Sequence, residues 1–258
     1  ETRQLTAEVI SIGDEMTSGA RLDTNAQWLS RRLGELGIQV TFHSTVGDTL
    51  EHNVDVFRTA AGRADIIVST GGLGPTRDDL TREALAAMGN VPLEMDHSAM
   101  EHIEQMFARR KRDMPDRNRV QAMFPQGSFQ IFNPQGTAPG IDFSLPEQNC
   151  HQARIFALPG VPAEMKRMFD ETVAPRILES KGNQTEIKQH VMKFFGTGES
   201  DMETRLGPMI ARDRQPRVGI TVSTATISLR ITATGTDAED CQNQIDQTRT
   251  EKIGRAHV

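Results

Sequence analysis

Two stretches of this 258-residue chain hold residues whose types and spacing suit phosphate chemistry. In Ile66-Ile67-Val68-Ser69-Thr70-Gly71-Gly72-Leu73-Gly74-Pro75-Thr76-Arg77-Asp78-Asp79, an apolar β-branched run gives way to three glycines within four residues, then to an acidic pair. Glycines let the backbone take positive φ and approach a ligand closely. A loop feeding a helix N-terminus offers free N–H groups and a positive dipole end to an anion. Asp78 and Asp79 can cap the helix that follows, bind a metal, or both. The second stretch, Gly13-Asp14-Glu15, is a turn with two carboxylates after an apolar run at 7–12. Hard carboxylate oxygens suit Mg²⁺ or Mn²⁺, and a carboxylate not bound to metal can orient a water as base. The glycine loop is neither a Walker phosphate loop nor a Gly-x-Gly-x-x-Gly fingerprint.

Positioning these turns requires a scaffold, and the flanking periodicity supplies one. Residues 7–12 read as a strand, followed by a helix with Ala26, Leu29, Leu33 and Leu36 on one face and Gly37 placed to stop it. Residues 38–46 read as a second strand. Asp48-Thr49-Leu50-Glu51 has capping-box spacing and opens a helix with Leu50, Val54, Phe57 and Ala61 on one face. The strand into the glycine loop is third, and its helix carries Leu80, Ala84, Leu85 and Met88. Such a succession predicts a parallel sheet covered by helices, with ligands at the carboxyl ends of the strands. Gly13-Asp14-Glu15 and the stretch 71–79 then share one crevice.

Further on, polar helices are expected over 97–121, broken at Pro115, and the run Arg109-Arg110-Lys111-Arg112 reads as a solvated face. Residues 124–145 read as loops and short strands, with Thr137 in the turn Gly136-Thr137-Ala138-Pro139-Gly140. A strand at 154–158 enters Pro159-Gly160-Val161-Pro162, a second sharp turn at the same sheet edge, with Pro162 suited to a helix's first turn. The Met165, Met168, Phe169 and Val173 stripe is core, and Trp28 reads as core or subunit contact. Composition shifts at 180–184. A small β-α-β-β-α module follows, with Met202, Leu206, Met209 and Ile210 on a helix, Ile227, Leu229 and Ile231 alternating on a strand, and Thr236-Asp237 capping the last helix. The tail at 253–258 continues neither pattern.

The net charge of −6 argues against a dedicated nucleic-acid binder. There is no 18-residue apolar run and no signal-like N-terminus, so no membrane partner is expected. Cys150 and Cys241 make no disulfide framework, and the seven histidines lack zinc spacing. A cytoplasmic location is the expectation.

Seven blocks stand in the order seen in the CinA (competence/damage-inducible protein) family: Gly13-Asp14-Glu15, Asp23-Thr24-Asn25-Ala26-Gln27, Thr45-Val46-Gly47-Asp48, Thr70-Gly71-Gly72-Leu73-Gly74-Pro75-Thr76, Asp78-Asp79-Leu80-Thr81, Gly136-Thr137-Ala138-Pro139-Gly140 and Leu158-Pro159-Gly160-Val161-Pro162. Residues 5–178 resemble its molybdopterin-binding-like domain. Residues 186–250 are similar to its small KH-like domain, including Phe195-Gly196-Thr197-Gly198-Glu199-Ser200 and 216–222. Met16-Thr17-Ser18-Gly19 is less leucine-rich than the family's usual sequence, and the KH-like module lacks a Gly-x-x-Gly clamp at a basic turn.

The resemblance implies an α/β fold: a three-layer, mostly parallel sheet, followed by a small α+β KH-like accessory domain. It implies a homodimer and metal-dependent hydrolysis of ADP-ribose to AMP and ribose 5-phosphate. Longer members also carry a deamidase domain, absent from this sequence, whose activity is not carried over. The candidate catalytic residues are Asp14, Glu15 and Asp78, with Asp78 and Asp14 as metal ligands for Mg²⁺ or Mn²⁺. The candidate substrate contacts are Gly71, Gly72, Gly74, Thr76, Asp79, Thr137, Gly160 and Pro162, to a small nucleotide. A rival class uses the same motifs without chemistry: a module that binds molybdopterin or a nucleotide. A structural dimerisation scaffold is the third class, but it would leave the acidic and glycine turns idle.

Overall fold

The computed structural model describes residues 5–145, 153–181, 186–211, 214–223 and 226–251. Cys150, residues 182–184 of the polar link and the 253–258 tail lie outside the described residues. The described residues divide into two compact units, one within 5–34 and 38–180, the other within 181–251 together with residues 35–37.

In the first unit the apolar runs become neighbouring strands. In chain order the elements are β1 (Thr6–Ile12), α1 (Asp14–Thr17), α2 (Thr24–Glu35), β2 (Gln39–Val46), α3 (Leu50–Ala61), β3 (Ile66–Thr70) and α4 (Thr81–Gly89). There follow β4 (Leu93–Met95), α5 (His97–Arg109), a 3₁₀ segment at Asp116–Ala122, β5 (Met123–Pro125), β6 (Phe129–Ile131), β7 (Gly140–Ser144), β8 (Arg154–Leu158), α6 (Pro162–Met168) and α7 (Ala174–Lys181). The main sheet runs β2-β1-β3-β8-β7-β6. β2, β1, β3 and β8 are parallel, and β7 and β6 extend the sheet antiparallel.

All five residues of β3 are buried, as a strand covered on both faces must be. Ile10 and Ile67 pack in one cluster with Phe57 and Ala60 of α3 and Leu85 of α4. The alternate residues Val9, Val68 and Phe156 are equally buried and face the other way. Trp28 of α2 meets Phe169 edge-on at 5.6 Å, which makes it an intramolecular packing residue. The result is a three-layer α/β unit.

Two local expectations are corrected. The capping box at Asp48 does not form: Thr49 is the N-cap of α3, with no side-chain cap bond. Asp48 instead turns its carboxylate to the backbone of Asp14, across the sheet edge. Of the expected face of α3, Phe57, Val54 and Ala61 do pack on the core, but Leu50 is 38 % exposed, and Asn53 and Ala60 are fully buried beside Phe57. Asn53 is drawn inward because its amide donates to Gly47 O at 2.9 Å and Thr49 O at 2.8 Å, which rotates the helix relative to a purely apolar reading.

The second unit contains β9 (Glu186–Phe195), α8 (Glu199–Leu206), β10 (Arg217–Ser223), β11 (Thr226–Gly235) and α9 (Ala238–Glu251). Its antiparallel sheet runs β10-β11-β9. Leu229 and Ile231 pack with Met202, Leu206, Cys241 and Ile245 from the helices. Asp237 caps α9 by accepting from Asp240 N at 2.8 Å.

Candidate functional site

The carboxyl ends of β1, β2, β3 and β8 surround a cavity of about 500 Å³. Its floor is the glycine loop, and its shape follows from three successive peptide groups. The carbonyl of Gly71 accepts from the Thr81 hydroxyl at 2.9 Å, and that of Gly72 from Thr81 N at 3.1 Å. The carbonyl of Leu73 accepts from Arg82 Nη2 at 2.5 Å. A trans peptide points its N–H opposite to its C=O. The N–H groups of Gly72, Leu73 and Gly74 therefore point away from α4.

Asp79 Oδ1 accepts from Gly74 N at 2.8 Å, and Asp79 Oδ2 accepts from Thr76 N at 2.8 Å and from the Thr76 hydroxyl at 2.5 Å. Among the described residues, the amides of Gly72 and Leu73 find no acceptor. Two adjacent free amides of this kind can receive an anion. Gly71 and Gly72 have φ of 106° and 65°. A side chain at Gly71 would strike the Ile12 carbonyl, and one at Gly72 would strike Thr81 rather than a ligand.

The opposite wall is acidic. Glu15, Asp48, Asp78, Asp79 and Glu164 line the cavity, with Arg21 as the cation among its described lining residues. Asp48 is bound reciprocally to Asp14: Asp48 Oδ2 accepts from Asp14 N, and Asp14 Oδ1 accepts from Asp48 N, each at 3.0 Å. Burial pushes the Asp48 carboxyl above its ordinary value; repulsion from Asp14, Glu15 and Asp78 pushes the same way, against the lowering effect of the Asp14 amide. Asp78 is held low, first by the nearby Thr76 hydroxyl and then by its own amide. The shortest bond of that hydroxyl is to Asp79, so Asp79 has the first claim on its proton.

The remaining wall comes from the 133–138 turn and α6. Asn133 donates to Ala138 O at 2.8 Å and to Glu164 Oε2 at 2.7 Å, and accepts from Gly136 N at 2.9 Å. These bonds present Thr137 and Glu164 to the cavity. Asn25 donates to Gly160 O at 2.9 Å, and Gly71 N donates to Leu158 O at 3.0 Å, so the two sharp turns are tied side by side.

Of the residues singled out from sequence, Glu15, Gly71, Gly72, Gly74, Asp78, Asp79, Thr137, Gly160 and Pro162 line this cavity. Asp14 and Thr76 stand behind the wall, where they hold Asp48 and Asp79. The sequence reading passed over Asp48, Glu164 and Arg82. Asp48 was discoverable: it follows the second parallel strand at the ligand-binding edge. Glu164 and Arg82 gave no local signal, since their roles depend on distant partners.

Among the described residues, no three His, Cys, Asp or Glu side chains are grouped closely enough to hold a metal alone. Glu15 and Asp78 both line the cavity and carry the hard oxygens that Mg²⁺ accepts, an ion that commonly takes one or two carboxylates and completes its shell with water and substrate phosphate.

Fold and cavity define a molybdopterin-binding-type α/β domain. Residues 8–179 match the family described as "Probable molybdopterin binding domain", and residues 189–254 match "Damage-inducible protein CinA KH domain". A putative competence-damage inducible protein of Oceanobacillus iheyensis is 40 % identical over 243 residues, which cover 94 % of this chain and 57 % of that protein. Its Bacillus subtilis counterpart is 37 % identical over 252 residues, covering 96 % of this chain and 59 % of that protein. The chain thus spans less than two thirds of the length of these curated relatives. The crystal structure of a CinA protein of unknown function from Thermoplasma acidophilum superposes with a TM-score of 0.61 at 31 % identity, over 69 % of this chain and 100 % of that one. The chain belongs to the CinA family.

Among the described residues, no helix is long and apolar enough to cross a membrane.

Proposed function

We propose that this chain is a metal-dependent nucleotide pyrophosphatase that hydrolyses ADP-ribose to AMP and ribose 5-phosphate. The observation that carries the reading is the pairing, in one cavity, of two free loop amides with a cluster of mutually repelling carboxylates. Amides alone would suit any anion. Carboxylates beside them repel an anion unless a cation stands between.

In this reading the Gly72 and Leu73 amides hold one phosphate of the pyrophosphate. Glu15 and Asp78 would hold Mg²⁺ or Mn²⁺, which would neutralise phosphate charge and acidify a water. Asp48 takes the water's proton, because its raised proton affinity makes it a better base than an ordinary aspartate. Asp14 aims Asp48 through the reciprocal bonds. Water oxygen bonds to one phosphorus, the bridging P–O bond breaks, and the bridging oxygen leaves with the other phosphate. A homodimer and a cytoplasmic location accompany the proposal.

The family description of a molybdopterin-binding domain favours a second reading, in which the cavity binds a phosphorylated ligand and does no chemistry. Incubation with ADP-ribose and Mn²⁺ or Mg²⁺, followed by AMP, separates the two. The enzyme releases AMP only with metal; a pure binder releases none.

A further inference from the structure

Arg82 has no exposed surface, which is unusual for a charged helix residue. It lies in the first turn of α4, beneath the glycine loop. Nη2 donates to Leu73 O at 2.5 Å and Nη1 to Gly74 O at 3.3 Å, while Nε has no acceptor. No carboxylate among the described residues forms an ion pair with it. A buried guanidinium with one orphaned N–H, whose other bonds go to neutral carbonyls, keeps most of its positive charge uncompensated.

We propose that Arg82 is the built-in counter-charge of the anion cradle: a positioning residue that turns the Leu73 and Gly74 carbonyls inward and places positive charge beneath the amides that receive a phosphate. This rests on the reading of the cavity as a phosphate site. The peptide between Leu73 and Gly74 links Arg82 to Asp79, since its carbonyl accepts from the guanidinium and its N–H donates to Asp79 Oδ1. The two side chains hold one peptide from opposite sides. Gln121 adds a weak donation to the same carbonyl at 3.4 Å. The lining brings five carboxylates against Arg21, so an anion entering it needs positive charge from below as well as from a metal. Burial lowers the Arg82 pKa to about 10, while Glu83 and Asp79 oppose the change, so the side chain is still a cation at neutral pH.

The test titrates the full chain with AMP in EDTA, and separately with Mn²⁺ without nucleotide, for the parent, Arg82→Gln and Arg82→Lys. Loss of the charge should weaken AMP binding about tenfold in Arg82→Gln, whereas Arg82→Lys stays within about threefold of the parent. Mn²⁺ affinity of Arg82→Gln should hold or increase, because a nearby cation has been removed. A merely structural role would weaken both ligands together and in both variants, and that result overturns the proposal. AMP binding by Arg82→Gln equal to the parent's overturns it too, while leaving the cavity reading intact. Absence of AMP binding by the parent, with or without Mn²⁺, removes the cavity reading and this proposal together. Should Arg82→Gln not fold, Arg82→Lys decides: a loss of AMP affinity beyond about tenfold contradicts the charge role.

Discussion

Asp14 and Asp48 hold each other by a reciprocal pair of 3.0 Å bonds, each carboxylate accepting from the other's backbone amide. The pair joins the turn after β1 to the turn after β2 and leaves room for no side chain at Gly47, where a Cβ would strike Asp14 Oδ1. Gly47→Ala should therefore break the clasp. We expect a destabilisation of about 1–3 kcal/mol by denaturant unfolding, together with a lower turnover of ADP-ribose. An unchanged unfolding midpoint would show that the clasp does not hold the turn.

The raised Asp48 carboxyl sets a pH dependence with a definite sign. Folding favours its protonated form, so the native protein carries a cost for ionising Asp48 that appears as pH rises above its unfolded value of 3.8. As base, Asp48 works only when ionised. The rate should fall as pH drops through its native value, from above 3.8 downward. In Asp48→Asn the rate should be low throughout, with this acid limb absent, and stability near neutral pH should hold or improve because a repelling charge is gone. A pH–rate profile of both proteins, with circular dichroism melts, checks this. An acid limb of the same shape in Asp48→Asn would assign the proton to another group.

Asp79 and Asp78 are adjacent but should respond differently. Asp79→Ala leaves the Gly74 and Thr76 amides and the Thr76 hydroxyl without their acceptor. The loop should loosen, at a cost of about 1–3 kcal/mol, and nucleotide affinity should fall with it. Asp78 is exposed at the cavity's edge, and Asp78→Asn should unfold like the parent. Thermal unfolding and nucleotide titration of the two variants side by side would expose any reversal of this order.

Gly72→Ala tests the loop backbone. A methyl group at φ 65° is strained, and here it also meets Thr81, whose hydroxyl and amide hold the loop carbonyls. The expected loss is about 2 kcal/mol of stability with weaker phosphate binding, measured by unfolding and by AMP titration. Thr81→Val, which removes only the hydroxyl bond to Gly71 O, should reproduce part of both losses.

Much of this was legible in the sequence because the signals were local. The short β-branched run Ile66-Ile67-Val68 read as a strand buried on both faces, and the glycines that follow marked a sharp turn. Gly13-Asp14-Glu15 reached the same edge through the rule for parallel sheets. Asp48 was misread because its spacing to Glu51 satisfies a capping box, a three-residue rule that cannot register a bond to Asp14, 34 residues away. Arg82 was unreadable for a related reason: an arginine in a helix's first turn looks solvated until the loop folds over it. The inward turn of Asn53 likewise depends on the carbonyl of Gly47, outside its own helix.

The most direct measurement of the central claim is AMP release from ADP-ribose by the parent and by Asp78→Asn, with Mn²⁺ and after its removal by EDTA. The parent should release AMP in a metal-dependent reaction that EDTA abolishes. Asp78→Asn should keep its fold and turn over about a hundredfold more slowly, equivalent to about 3 kcal/mol of transition-state stabilisation. Equal rates in the two proteins would remove Asp78 from the metal site, and no AMP from the parent under any of these conditions would contradict the assignment as a pyrophosphatase.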